Sequence, residues 1–268
     1  MKTFWAFLRT EQRSVGFYRM DFLLKVLYSL IAMYGVRSLW SVLYAQDPAI
    51  VGRPLSSMIT YAMLAVALDI IFYPSALSTA PQNYIAGQVR TGRIDTDLLR
   101  PMDLQNQLLA RNGGAALFGA VWLVLPAWFI GVLFFGMELP PDLLYGAAFL
   151  VSGILSFLIL FSLNFILGLV CFATTDIRQI TMAYSGILTI LSGKLIPNWL
   201  YPKWMQALIN VLPFRCIFET PLNIYTGAVS SAGIGYSLLL QILWAAVLII
   251  LGKGMWLGVH RYLTVQGG

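Results

Sequence analysis

Long apolar runs dominate the pattern of this chain, and short polar stretches punctuate them. Six runs approach membrane-crossing length, at about 22–44, 57–79, 113–135, 143–173, 179–193 and 232–258. An α-helix rises about 1.5 Å per residue, so a hydrocarbon core of ~30 Å calls for roughly 20 apolar residues. The runs therefore predict six spanning helices. The fourth is long enough to tilt or project, whereas the fifth is short and leads straight into a region of different character. That region, residues 192–227 (SGKLIPNWLYPKWMQALINVLPFRCIFETPLNIYTG), is apolar and aromatic but interrupted by Pro197, Pro202, Pro213 and Pro221. Proline removes a backbone donor, and lipid offers nothing to replace the lost hydrogen bond. The pattern predicts short helices over 194–227 that dip into one face of a membrane and turn back against other protein. A plain interfacial loop anchored by aromatic side chains is the simpler alternative. Trp199, Trp204 and Phe214, with the four prolines, are the candidate residues of such a gate.

The polar stretches set the orientation. With the N-terminus on the cytoplasmic side, most of the 17 basic residues fall in cytoplasmic segments. The loop at 136–142 (GMELPPD) carries only acids, as an outer turn should. The positive-inside rule then places both termini in the cytoplasm and the proline-interrupted segment outside. Residues 1–21 mix aromatic and basic positions and predict an interfacial helix on the anionic inner leaflet. A net charge of +6 follows from this bias and gives no sign of nucleic-acid binding.

The cytoplasmic loop 80–112 (APQNYIAGQVRTGRIDTDLLRPMDLQNQLLARN) is different from a topogenic loop, which needs only positive charge. It interleaves Arg90, Arg93, Asp95, Asp97 and Arg100, with Gly87, Gly92 and Pro101 as punctuation. Mixed charge on a structured loop suits docking to another protein, because complementary charges fix register and partner choice. A solvated loop with incidental pairs is the alternative.

Composition agrees with the pattern. Of 268 residues, 59% are hydrophobic and 10% charged, with a mean hydropathy of +0.78. Soluble domains carry roughly 25% charged residues. The chain is an all-α integral membrane protein by this reading, with a six-span domain over 22–268. Catalytic chemistry finds no support. The two cysteines, Cys171 and Cys216, lie far apart and form no metal-ligand pattern. The sole histidine, His260, falls at the cytoplasmic edge of the last run. A phosphate-binding loop would need glycines followed by Lys and Ser/Thr, and Gly193-Lys194 is followed by leucine. No enzyme activity, cofactor or metal is expected on this chain.

Polar residues inside the runs are few and costly in lipid. Asp69 lies within the second run, and Arg37 in the first is a candidate partner. The two would form a structural pair, or Asp69 would line a pathway. Asn164 and Gln241 are candidates for hydrogen bonds between helices. Gly254 and Gly258, like Ala115 and Gly119, have the small-residue spacing of close helix packing.

In the 80–112 loop, GQVRTGRIDTDLLRPMD resembles the Gly-x-(Leu/Ile)-Asp … Leu-Leu-Arg-Pro loop of permease subunits of ABC-type exporters of the second permease family, the type V fold. The segment SGKLIPNWLYPKWMQALINVLPF…ETPLNIYTG is similar to that family's Ser-Gly-x-x-Ile-Pro … Pro-x-Trp … Leu-Pro-Phe region. The ending VQGG resembles one uncharacterised permease subfamily. The resemblance implies a coupling helix between spans two and three, near Asn83–Arg93, and re-entrant outer helices between spans five and six. It implies ATPase contacts at Arg90, Arg93, Asp95, Asp97 and Arg100, and lesser ones at Asp176 and Arg178. It further implies two ABC ATPase subunits that carry ATP and Mg, and a second permease chain, a paralogue favoured over an identical copy. The setting implied is the bacterial inner membrane with its lipids, and the apolar spans suit a hydrophobic or amphipathic cargo. A stand-alone secondary transporter and a lipid-modifying membrane enzyme are the rival readings.

Overall fold

The computed structural model describes residues 19–46, 52–73, 80–94, 97, 99, 102–174 and 177–266, with side chains between residues 23 and 259. Residues 1–18 of the interfacial helix predicted over 1–21, and Asp95, Arg100 and Asp176, lie outside the described residues. Most of the described residues are helical, with no strand among them. The elements are α1 (Arg19–Gln46), α2 (Leu55–Phe72), α3 (Pro81–Arg90), α4 (Leu104–Gly119), α5 (Leu125–Phe134), α6 (Leu143–Leu169), α7 (Arg178–Leu191), α8 (Lys203–Val211), α9 (Glu219–Tyr225) and α10 (Ser231–Gln266).

Among the described residues, five helical stretches are long and apolar enough to cross a membrane: Leu23–Gln46, Leu55–Phe72, Leu104–Phe134, Leu143–Phe172 and Ser231–Val259. Their outward faces carry large apolar side chains, among them Leu24 and Ile31 on α1, Phe129 and Leu133 on α5, and Leu239 and Ile250 on α10. Such faces are stable only against lipid or another apolar protein surface. The fifth predicted crossing, 179–193, is realised as α7, whose 14 residues reach only about 21 Å. Its C-terminal end turns at Ser192 and Gly193 into the proline-interrupted segment, so an irregular stretch continues where a full span would have run.

The bundle is built around α2 and α6. Helix α2 is buried on most of its circumference, including Met58, Met63 and Leu64. Helix α10 lies along α6 in the same direction, for Ser152 meets Gln241 near one end and Phe172 meets Trp256 at the other. The third span begins at Leu104, inside the predicted loop, because Leu104 and Leu108 pack with Phe165 and Trp256 in a core beneath α3. Between α4 and α5 the helix widens into one π-turn, Ala120–Val124, with the Leu125 N–H donating to the Ala120 carbonyl. Pro126 follows directly. A proline cannot donate to the preceding turn and its ring crowds the carbonyl there, and the wider turn absorbs both effects.

Candidate functional site

Two polar constructions occupy opposite ends of the bundle. At one end, α3 lies across α6 with Pro81, Gln82 and Ile85 buried. Gly168 on α6 makes this approach possible. A Cβ there would fall 2.8 Å from Ile85 Cδ1 and 3.0 Å from Gln82 Cα, closer than packed carbon atoms tolerate. The loop after α3 is folded back by Asp97. Its Oδ2 accepts from the Tyr84 hydroxyl at 2.7 Å and from Gln88 Nε2 at 3.1 Å, and its carbonyl accepts from Gln107 Nε2. Asp97 is thus buried and braces the loop from within, whereas the sequence reading put it on the docking surface. Arg90 and Arg93 are exposed at the C-terminal end of α3, and Arg178 is exposed at the start of α7. The Arg111 guanidinium sits 4.7 Å from the Tyr84 ring centre, a cation–π contact that holds α4 to α3.

At the other end, the proline-interrupted segment folds into a hairpin. Pro197 precedes a 3₁₀ turn (Asn198–Leu200), Pro202 precedes α8, Pro213 opens a second 3₁₀ turn, and Pro221 stands in the first turn of α9. Each proline starts a helix, where the missing N–H would have had no partner in any case. Pro197, Pro213 and Pro221 are buried, and Trp204 and Pro202 are exposed. Trp199 lies edge-on to Tyr61, 5.5 Å between ring centres, under the guanidinium of Arg53 at 3.5 Å. Phe214 packs against the main core.

The hairpin's tip descends into the bundle and is fastened there by Gln241. Its Nε2 donates to the Cys216 carbonyl at 2.8 Å, to Ser156 Oγ at 3.1 Å and to the Ser152 carbonyl at 3.3 Å. Ser152 Oγ returns a bond to Gln241 Oε1 at 2.8 Å, and Ser156 Oγ donates to the Cys216 carbonyl at 2.8 Å. All four side chains are fully buried. The 3₁₀ turn that holds Cys216 could not satisfy its own carbonyl in lipid, so side chains from α6 and α10 do it. Asn164, the other candidate for helix contacts, is also buried, but its Oδ1 has no protein partner.

Asp69 is not paired with Arg37. Its Oδ1 lies 2.6 Å from Lys194 Nζ, and Lys194 follows the turn at the end of α7. The backbone turn decides this pairing. Gly193 adopts φ +78°, and a Cβ there would fall 2.7 Å from Glu219 Cβ and 3.0 Å from the Tyr61 hydroxyl. Tyr61 donates to the Gly193 carbonyl at 2.7 Å, and the Glu219 N–H donates to the Ser192 carbonyl. These bonds bring Lys194 onto α2, while Arg37 stays half-buried on α1. The small residues Gly254 and Gly258 have no neighbour at their Cβ positions; close packing occurs at Gly252, against Phe165. That face of α10, not the next one, turns toward α6.

Glu219 is the group that sequence reasoning missed. It is almost wholly buried at the start of α9, beside the end of α7. Asn223 Nδ2 donates to its Oε1 at 3.5 Å, and Asn223 in turn accepts from Arg53 Nη1 at 3.1 Å. Its Oε2 has no protein partner, nor do Asn198 Oδ1 and Trp199 Nε1. Burial pushes the Glu219 carboxyl up to about 7, although Arg215, Asn223, Arg53 and the Asn198 backbone pull the other way. An acid between two apolar flanks in a segment of unclear register left only a faint signal in the sequence.

Among the described residues no group of three or more His, Cys, Asp or Glu side chains could hold a metal ion. Both cysteines are buried and unbridged. The arrangement therefore offers a brace at one end, a buried polar cluster at the other, and a helix that touches both. A family model described as "ABC-2 family transporter protein" matches residues 30–267, nearly the whole chain. A search of characterised proteins returns no match.

Proposed function

We propose that this chain, which belongs to the ABC-2 transporter family and is thus the membrane component of a transporter whose ATPase is a separate subunit, works as the permease half of an exporter. ATP and Mg bind on the partner ATPase, two copies of which engage α3 and its loop. Arg90, Arg93 and Arg178, with Asp95, Arg100 and Asp176, form the contact. Both termini lie in the cytoplasm of the bacterial inner membrane, with α7 and the irregular stretch after it completing the fifth crossing. The hairpin of α8 and α9 is the outer lid.

The observation that carries this reading is the role of α6. Gly168 seats α3 on it, and Ser156, about 18 Å away along the same helix, holds the hairpin's tip. A shift of α3 under an ATPase is then a shift of the rod to which the lid is tied. Transport follows when cargo binds the two resulting states with different affinity. Helix α7 supports a pathway shared with a second permease chain, a paralogue favoured over an identical copy. It buries only Leu188 and exposes Ile180, Met182, Ile187 and Ile190 together with Gln179, Ser185 and Gly186, so nearly its whole circumference is left without packing inside this chain. The apolar spans suit a hydrophobic or amphipathic cargo.

Charge reversal at Arg90 and Arg93 tests the coupling assignment. Both side chains are exposed, so folding should be unchanged, while co-purification with the ATPase and transport-coupled hydrolysis should drop by an order of magnitude. Full assembly and normal coupled hydrolysis in the double variant would sink the assignment.

A further inference from the structure

A lateral cavity of about 250 Å³ lies between α2, α4 and α6. Its lining is apolar throughout, with Leu68, Phe72, Ala116, Gly153 and Phe157 among its walls. Leu117, Leu150 and Ile154 form its rim, and all three are exposed on the surface of the bundle. The cavity is therefore open to whatever surrounds the spans. At its far end it shares Phe72 and Phe157 with a second, much smaller space of about 10 Å³, enough for one water-sized group. The walls of this smaller space include Asn112, Asn164 and the Ala80–Pro81 start of α3.

The two spaces differ in chemistry in a way that points to one kind of occupant. Asn112 spends its Nδ2 on the Leu108 carbonyl of its own helix. Asn164 is 3% exposed and meets the Tyr73 hydroxyl, yet its Oδ1 has no protein donor. A buried acceptor without a donor is costly in an apolar setting and invites one from a ligand. From Phe149 to Asn164 the two spaces, with Phe72 and Phe157 between them, follow α6 for about 22 Å, longer than one leaflet of a ~30 Å hydrocarbon core is thick. A protein helix would not fit the narrow inner end, and a double-chain lipid would leave its second chain outside the slot.

We propose that this slot binds a single-chain amphiphile, its alkyl tail in the apolar cavity and a hydrogen-bond-donating head, a hydroxyl or amine, on Asn164 Oδ1. The occupant is the exporter's cargo, taken sideways from the membrane and held with its head against the first residues of the coupling helix. The word cargo rests on the permease reading above; the binding itself does not. Substitution at Gly153 tests the site without disturbing the fold, because nothing lies within 4 Å of its Cβ position, so the side chain of Gly153→Phe projects into open space.

The probe is palmityl alcohol bearing a mid-chain diazirine, added to the chain in phospholipid nanodiscs with and without its ATPase. Photolabelling is expected on peptides that contain Gly113–Leu117 and Phe149–Ile154, falling several-fold in Gly153→Phe. Asn164→Leu should remove the preference for the alcohol over its methyl ether, which has no donor, while tail labelling persists. With the ATPase bound, the alcohol should stimulate hydrolysis in the native chain and not in Gly153→Phe. Equal labelling of native chain and Gly153→Phe would overturn the site. Labelling of the slot without any stimulation of an ATPase-bound native complex would mark a resident lipid and overturn the cargo assignment. Failure to assemble with an ATPase at all bears on the permease reading alone, since labelling is read on the isolated chain.

Discussion

At the scale of single residues, Glu219 and Gly193 carry the most weight. Gly193 is required twice over, by its positive φ and by the lack of room for a Cβ between Glu219 and Tyr61. Glu219 is held in a pocket that favours the protonated form. Its carboxyl titrates at about 7 in the folded chain against 4.5 when exposed, so the folded state binds the extra proton between those values. Stability from this group is then full below about pH 4.5 and is lost as the pH rises to about 7, by roughly 3 kcal/mol in total. Thermal melting of the purified chain should fall across that window and level off above it. Glu219→Gln should flatten the slope; an unchanged slope would assign the titration to another group. Asp69 teaches the converse lesson. Its place in an apolar run announced a partner, and helix adjacency suggested Arg37, but the turn at Gly193 delivered Lys194 instead.

At the scale of elements, α3 and the hairpin both rest on α6. Gly168 lets Ile85 and the backbone of Gln82 settle against the helix. Gly168→Ala should lift α3, weakening ATPase coupling several-fold at near-native expression. Trimming the opposing side chain with Ile85→Val removes the nearer clash, and the double variant should recover part of the loss. A double-mutant cycle on coupled hydrolysis should show an interaction of about 0.5–1.5 kcal/mol; strict additivity would mean that the two residues act apart. The hairpin depends on the buried Gln241 bonds in a different sense. Without Gln241 the Cys216 carbonyl would keep only Ser156, and each orphaned buried group costs about 1–3 kcal/mol. The brace at Asp97 shows why charged residues in a loop do not all face a partner. Tyr84 and Gln88 stand one turn apart on α3 and together cover the Asp97 carboxylate.

For the whole molecule, the division of labour between the two ends makes sense only if α7 has company. A helix that buries only Leu188 within its own chain predicts a second permease chain across it. A benzophenone side chain placed at Ser185 in intact cells should capture a chain of permease size in high yield. Capture of lipid alone, with ATPase assembly intact, would assign that face to the bilayer. Two chains that meet through α7 would leave the slot between α2, α4 and α6 on the flank, where it opens toward lipid.

The apolar runs, the mixed-charge loop and the proline-interrupted segment established membrane residence, the helical class and the two ends of the bundle before any coordinates. Those features are local: the length of an apolar run decides whether it can cross, and proline acts on its own turn. The sequence could not decide which acid meets which base, which glycine is pressed by a neighbour, or that Asp97 turns inward. Contacts of that kind join residues far apart in the chain, as in the 2.6 Å pair of Asp69 and Lys194, and they follow from helix rotation and depth. Nor does an apolar run state whether it will end at mid-bundle, as α7 does, because the stop is set by where Ser192 finds the Glu219 N–H. Composition chose the solvent; tertiary packing chose the partners.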